Sequence, residues 1–319
     1  MLSKIIRITA PAILLVAGLL GLYVIALMID VELVSFAFLF GFPILCGLII
    51  MHFRPKGSFK SFGKALLWLI GIMAISVAMS VTTSLEGMIC IAMAVVPILL
   101  GTLLGGVIYL MVIRWKQEAN GSLKIVTLPI IAFALLGLPA NQPMRPEIYE
   151  ISNTIEINAP PEIVFNMLKS IPDISPQEIP TRMSHLLGVP KPTEAIWEES
   201  PNGTIRHSHW GEDVHFIERI TAIEKNRLIA WDFEFPEGWI AEGLEDPHVK
   251  VGGKYFNILS GEYLLEDMDG KTRLSLTTRT YDNSQLGAYS KFWHEFFFED
   301  FHNVILILVK NRTEAKISG

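Results

Sequence analysis

Four stretches of this chain, residues 8–29, 33–53, 65–85 and 87–113, contain no Asp, Glu, Lys or Arg. Each is long enough to cross roughly 30 Å of hydrocarbon as a helix. A fifth run, 125–140, is shorter and carries Pro129 and Pro139, so at about 1.5 Å per residue it only just reaches across. A chain with 51% hydrophobic and 18% charged residues and a mean hydropathy of +0.42 is also too apolar for an ordinary soluble protein of its size. The first expectation is therefore a membrane α-helical bundle of about five spans.

The basic residues of this half fall in alternate connections. Lys4 and Arg7 precede the first run, Arg54, Lys56, Lys60 and Lys64 follow the second, and Arg114, Lys116 and Lys124 follow the fourth, while the other two connections hold Asp30, Glu32 and Glu86. By the positive-inside rule the amino terminus is cytoplasmic, and five spans put everything after Ala140 on the outer, periplasmic face of a bacterial inner membrane. If 125–140 does not span, the remainder is cytoplasmic. The first run is too long for the apolar region of a cleaved signal peptide. The runs offer only His52 as an ionisable group inside them, which argues against a pump or ion-coupled transporter. Gly101 and Gly105, and the row Gly71, Ala74 and Ala78, mark faces where helices approach closely, either within the chain or between copies.

Net charge divides the sequence. Residues 1–144 carry nine Lys/Arg against four Asp/Glu, and residues 145–319 carry seventeen against twenty-eight. Two domains, 1–144 and 145–319, are expected. The acidic second half argues against nucleic-acid binding. Cys46 and Cys90 both lie in apolar runs, which excludes a disulfide scaffold or a cysteine-built zinc site.

After Glu147 the apolar period changes to two. Ile151, Ile155 and Ile157 alternate in a first strand, 148–158, and prolines 160 and 161 open a short helix with Ile163, Val164, Phe165, Met167 and Leu168 behind them. A second short helix is expected near 181–187. Six further antiparallel strands follow at 193–200, 204–210, 214–224, 227–235, 254–266 and 271–281, three pairs of them joined by turns at Asn202-Gly203, Lys225-Asn226 and Asp269-Gly270. Residues 285–314 read as one long helix. The run Ile155-Glu156-Ile157-Asn158-Ala159-Pro160-Pro161-Glu162-Ile163-Val164-Phe165, the Ile217-Glu218-Arg219-Ile220 and Leu228-Ile229-Ala230-Trp231 segments, and the Gly270 turn before Thr272-Arg273-Leu274 resemble the START-like or SRPBCC superfamily, which includes polyketide cyclases and Bet v 1-type proteins. The resemblance covers roughly half the chain and implies a helix-grip fold, an antiparallel sheet wrapped around a long carboxy-terminal helix with an apolar cavity between them. The whole layout is similar to a bacterial subgroup in which such a domain follows a multi-span region.

Alternation places Ile229, Trp231, Phe233 and Phe235 on one strand face and Tyr255, Leu259, Tyr263 and Leu265 on another, with Trp293, Phe296 and Phe297 on the helix. Such a set is either a packed core or the lining of a ligand site. Arg206, His207 and His248 are the polar candidates; the Arg206-His207 step and the His248 loop look similar to positions of the membrane-fused subgroup. His207 and His209 alternate as a metal pair does, but Glu212, His215 and His248 are candidate third ligands that no spacing enforces, and neither metal nor cofactor is expected. Glu295, Glu299 and His302 follow one another at helical spacing, as a solvated row or a buried acid–base set. Three functions remain open: a membrane-tethered domain binding a lipid or other hydrophobic small molecule; a cyclase- or hydrolase-type enzyme using Arg206, His207 and His248; and a structural or regulatory membrane protein with a filled core and a protein partner.

Overall fold

The computed structural model describes residues 37–52, 62–82, 88–119, 145–241, 245, 249–284 and 286–318. The chain divides into two compact units, Met1–Met144 and Arg145–Gly319.

In the first unit, a turn of π-helix, Ala37–Gly41, leads into α1 (Phe42–His52); α2 (Phe62–Thr82) and α3 (Met88–Ala119) follow. Two stretches, Gly63–Ser80 and Met88–Met111, are long and apolar enough to cross a membrane, and Leu39–His52 is a shorter apolar helix. The described residues thus hold two helices of spanning length rather than five; the expected spans at 8–29 and 125–140 lie outside the described residues. Side chains such as Leu67, Ile75, Val96, Leu100 and Met111 are exposed on these helices, a surface that water solvates poorly and hydrocarbon solvates well.

Glycine lets α1 and α3 touch backbone to backbone. A Cβ on Gly105 would fall 2.1 Å from the Ile44 carbonyl oxygen, one on Gly47 2.1 Å from that of Thr102, and one on Gly101 2.9 Å from Pro43. The Gly101/Gly105 step is therefore consumed inside the chain, where close approach increases van der Waals contact. The companion row is not used in this way: Gly71 has nothing near it, and Ala74 and Ala78 are exposed.

The second unit is one seven-stranded antiparallel sheet of order β1-β7-β6-β5-β4-β3-β2. Its strands are β1 (Glu147–Ile157), β2 (Pro192–Ser200), β3 (Gly203–Trp210), β4 (Val214–Glu224), β5 (Leu228–Glu234), β6 (Phe256–Asp267) and β7 (Thr272–Asp282). Between β1 and β2 lie α4 (Pro161–Lys169), with proline in its first turn, and the single turn α5 (Met183–Leu186); α6 (Ala288–Ser318) closes the chain. Asn226, Gly203, Asp269 and Gly270 take positive φ at the hairpin turns expected for them. The first strand pairs with the last, Ile151 opposite Thr278, and α6 packs on β1, α4 and β7. This is the helix-grip arrangement.

The interior differs between its two ends. Where β1 leaves the sheet, Ile157, Val164, Leu168, Ile229, Leu265, Leu274, Val304 and Leu308 form a sealed, mainly aliphatic core that Phe165, Trp231 and Tyr263 complete. At the other end, where α6 begins, the side chains are mostly aromatic: Tyr149, Phe297 and Phe298 are buried, while Trp293, Phe296 and Phe301 are half-buried. One register detail corrects the sequence reading: β6 shifts register against β7 between Ile258 and Ser260. The extra residue reverses the alternation, so Phe256 and Ile258, rather than Tyr255 and Leu259, pack with Tyr149, Ile151 and Phe298. Beyond the bulge Gly261, Tyr263 and Leu265 are the buried positions.

Candidate functional site

The polar centre of the interior is built on three neighbouring strands. Register sets Arg206 of β3 opposite Glu218 of β4, and Glu218 opposite Phe233 of β5. Arg206, 2% exposed, donates from Nε to Glu218 and from its Nη1 to the Leu168 carbonyl at 2.6 Å, and its guanidinium carbon lies 4.9 Å from the Trp231 ring centre and 5.3 Å from that of Tyr263. Burial disfavours the Arg206 charge, but Glu218 and Tyr263 together outweigh it and hold the guanidinium protonated; burial likewise pushes the Tyr263 hydroxyl up to about 12. Trp231 lies flat across Gly261, where a Cβ would come within 2.4 Å of the indole. Arg206 is thus held by protein groups on several sides, stitching α4 to the sheet.

His207, its neighbour in sequence, points the other way. It stands on the outer face with His209, His207 Nδ1 lying 3.2 Å from His215 Nε2 and its Nε2 3.2 Å from Glu198. The convergence of Arg206 with His207 that an acid–base enzyme needs is therefore not formed, because adjacent strand residues face opposite sides. His248 lies outside the described residues. Among the described residues no three His, Cys, Asp or Glu side chains are grouped to hold a metal.

The other sequence candidates line the inside. Trp231, Tyr263 and Phe297 are buried, and Phe233, Trp293 and Phe296 are half-buried. Tyr255 is half-buried ahead of β6, with Lys254 Nζ 5.2 Å from its ring centre. Around them runs a chain of rings that the sequence reading left incomplete. Phe216 touches Phe233 and Phe235 at 5.7 and 6.1 Å, Phe235 meets Trp239 at 4.8 Å, and Trp210 bridges from β3 to Phe301 of α6 edge-on at 5.6 Å. Trp210 and Phe216 alternate with Ser208 and Glu218 along their strands, a signal of period two that was available.

A second polar cluster sits at this aromatic end. Asp282 accepts from Ser290 at 2.6 Å and Ser284 at 3.2 Å, with the Tyr149 hydroxyl 3.3 Å away and also donating to Glu147. His294 Nδ1 is bonded to Thr280 at 2.7 Å, and its ring packs edge-on against Tyr149 and Phe256; burial lowers its pKa. Two turns further along α6 His302 bridges Thr278 and Asn153, both at 2.8 Å, and burial lowers its pKa to about 4. The expected row of Glu295, Glu299 and His302 is therefore split: Glu295 and Glu299 lie at the surface, Glu295 beside Lys291, while His302 turns inward with His294 and Phe298. Their spacing of four is the true inward stripe of α6.

A surface hollow of about 370 Å³, lined by Pro160, Pro161, Glu162, Asn226, Arg227, Leu265 and Asp267, opens at the aliphatic end. It is separate from the aromatic lining.

No family model matches the chain, and no curated protein matches it. Solved structures do. The ZhuI aromatase/cyclase from Streptomyces sp. R1128 is 16% identical over 54% of this chain and 96% of its own, with a TM-score of 0.34. Ara h 8.0201 is 11% identical over 53% of this chain and 99% of its own, with a TM-score of 0.33. A protein of unknown function from Staphylococcus aureus is 9% identical over 55% of this chain and 99% of its own, with a TM-score of 0.37.

Proposed function

We propose that the second unit binds an apolar small molecule or lipid between the aromatic end of the sheet and α6, on a chain anchored in a membrane by its first unit. The observation that carries this reading is the contrast between the two ends of one interior: a mainly aliphatic core sealed from solvent at one, and at the other a set of rings of which Phe233, Phe235, Trp293, Phe296 and Phe301 are left half-exposed. A core with nothing further to bury leaves few large apolar groups half-covered. Phe233, Trp293, Phe296 and Phe297 are the proposed lining, with the buried Trp231, Tyr263 and Arg206 forming the floor rather than the walls. The apolar faces of α2 and α3 support the anchor, and the basic-residue pattern, with 125–140 read as a fifth span, favours the outer side of the membrane for the second unit.

Native mass spectrometry of the full chain released from a mild detergent tests the binding reading: a stoichiometric apolar adduct is expected. A bare chain, with no quenching of tryptophan fluorescence by an added fatty acid or naphthyl probe, overturns it in favour of a filled core that meets a protein partner. A reporter fused after Glu147 tests the side of the membrane. A cyclase-type enzyme is the second reading, favoured by one observation: His294, half-enclosed by rings with one nitrogen fixed by Thr280, is placed as an acid–base group at that end.

A further inference from the structure

The outer face of the sheet takes no part in that reading, yet three histidines meet there. Register sets His207 between Ile196 of β2 and Ile217 of β4, and His209 between Glu194 and His215. The His209 ring stacks on that of His215 with centres 4.2 Å apart and planes 11° apart, and His209 Nε2 lies 3.8 Å from Glu194. Glu198 stands at the far end, against His207 Nε2. The neighbouring charged groups on this face are Arg219 of β4, ion-paired with Glu234 of β5, and Asp232.

The ring centres of His207 and His215 are 5.4 Å apart and their planes differ by 17°. With only 3.2 Å between Nδ1 of one and Nε2 of the other, the two nitrogens point at each other along the line of centres. A metal ion midway would sit about 1.6 Å from each, short of the ~2.0–2.1 Å of a metal–imidazole bond. A proton fits.

The proton count follows from the partners. Glu198 accepts, so His207 carries its proton on Nε2, and its Nδ1 accepts from His215 Nε2–H. One added proton is accommodated by reversing the central bond: His207 donates from both nitrogens, and His215 moves its own proton to Nδ1 and accepts on Nε2. A second added proton sets two N–H groups head to head and breaks the bond, with His209 stacked on the other side of His215. The two states differ in which nitrogen of the central bond donates, and like charges on adjacent rings oppose each other.

We propose that this face carries an acid-sensing site: Glu198, His207 and His215 form a proton-sharing chain, flanked by His209 and Glu194, that takes up protons in separated steps and reverses the charge of this five-residue cluster as the pH falls through the imidazole range. With both glutamates ionised and the three imidazoles neutral, the five groups carry −2; with all three imidazoles charged they carry +1. Burial and the two neighbouring imidazoles already depress the His215 pKa, in keeping with this order of uptake.

The test is a pH titration, from pH 8 to 4.5, of the full chain in detergent micelles with its histidines labelled by nitrogen-15. The expected result is a His215 curve too broad for one site, His207 held in its Nε2–H tautomer at pH 8, and a His215 midpoint that rises by about half a unit or more in His207→Gln. Glu198→Gln, close in shape, is expected to release the tautomer of His207. A single-site His215 curve that His207→Gln does not move, or a mixed tautomer at His207 in the parent, overturns the proposal. The resonances of buried His302 report in the same spectra that each variant is folded.

Discussion

Arg206 and Glu218 illustrate how a buried charge pair holds a fold without a proportionate gain in stability. Their attraction is offset by the cost of taking two ions out of water, but removing one partner strands the other. Arg206→Met is therefore expected to lower unfolding stability by about 3–5 kcal/mol, and the double variant with Glu218→Leu to recover most of it, as read from denaturant midpoints followed by near-ultraviolet circular dichroism. His302 gives a pH-dependent counterpart. Its pKa in the fold is about 4, against an ordinary 6.5, so as the pH falls through 6.5 the unfolded chain binds a proton that the folded chain refuses until pH 4. Stability contributed at neutral pH is lost across that window, by roughly 3 kcal/mol. His302→Gln is expected to flatten this part of the stability–pH curve, and the comparison of midpoints at pH 7 and 4.5 with the parent checks it. Alternation makes Trp231, Tyr263 and Phe233 legible in the sequence as inward residues. The same alternation sets Arg206 and His207 on opposite sides, against the expectation that they act together. His294 and His302 were harder to read, because a helix in which every second or third residue is aromatic has no clear polar face against which to set its inward stripe.

At the scale of elements, the antiparallel meander, its hairpin turns and the long closing helix were readable to within a few residues, since turn chemistry and period are local properties. The bulge in β6 was not, because it is decided by how Phe256 and Ile258 meet β7 and α6, partners far away in sequence. The glycines of the first unit were visible as small residues, but nothing local distinguished Gly101 and Gly105, which touch α1, from Gly71, which touches nothing described. The contact makes a sharp prediction. Gly105→Val would drive two methyl groups toward the Ile44 carbonyl, separating α1 from α3, and is expected to lower the thermal midpoint of the detergent-solubilised chain, whereas Gly71→Val, on an open face, leaves it within a degree or two.

For the whole molecule, an interior closed at one end and ring-lined at the other fixes where an apolar guest enters and which side chains it meets. Phe233→Ala is expected to weaken adduct binding by about tenfold or more, equivalent to the loss of roughly 1.4 kcal/mol or more; Arg227→Ala, on the separate surface hollow, is expected to leave affinity unchanged, and parallel fluorescence titrations check both. The pairing of β1 with β7 has a temporal consequence as well. The ribosome makes Ile151 more than a hundred residues before Thr278, the residue opposite it. Until β7 and α6 emerge, β1 is an unpaired edge with its apolar side bare. Any early stop or frameshift beyond β6 therefore yields a sheet with both its first strand and β6 open to neighbours, a species prone to cross-chain strand pairing. The completed carboxy terminus is what silences the beginning of the domain.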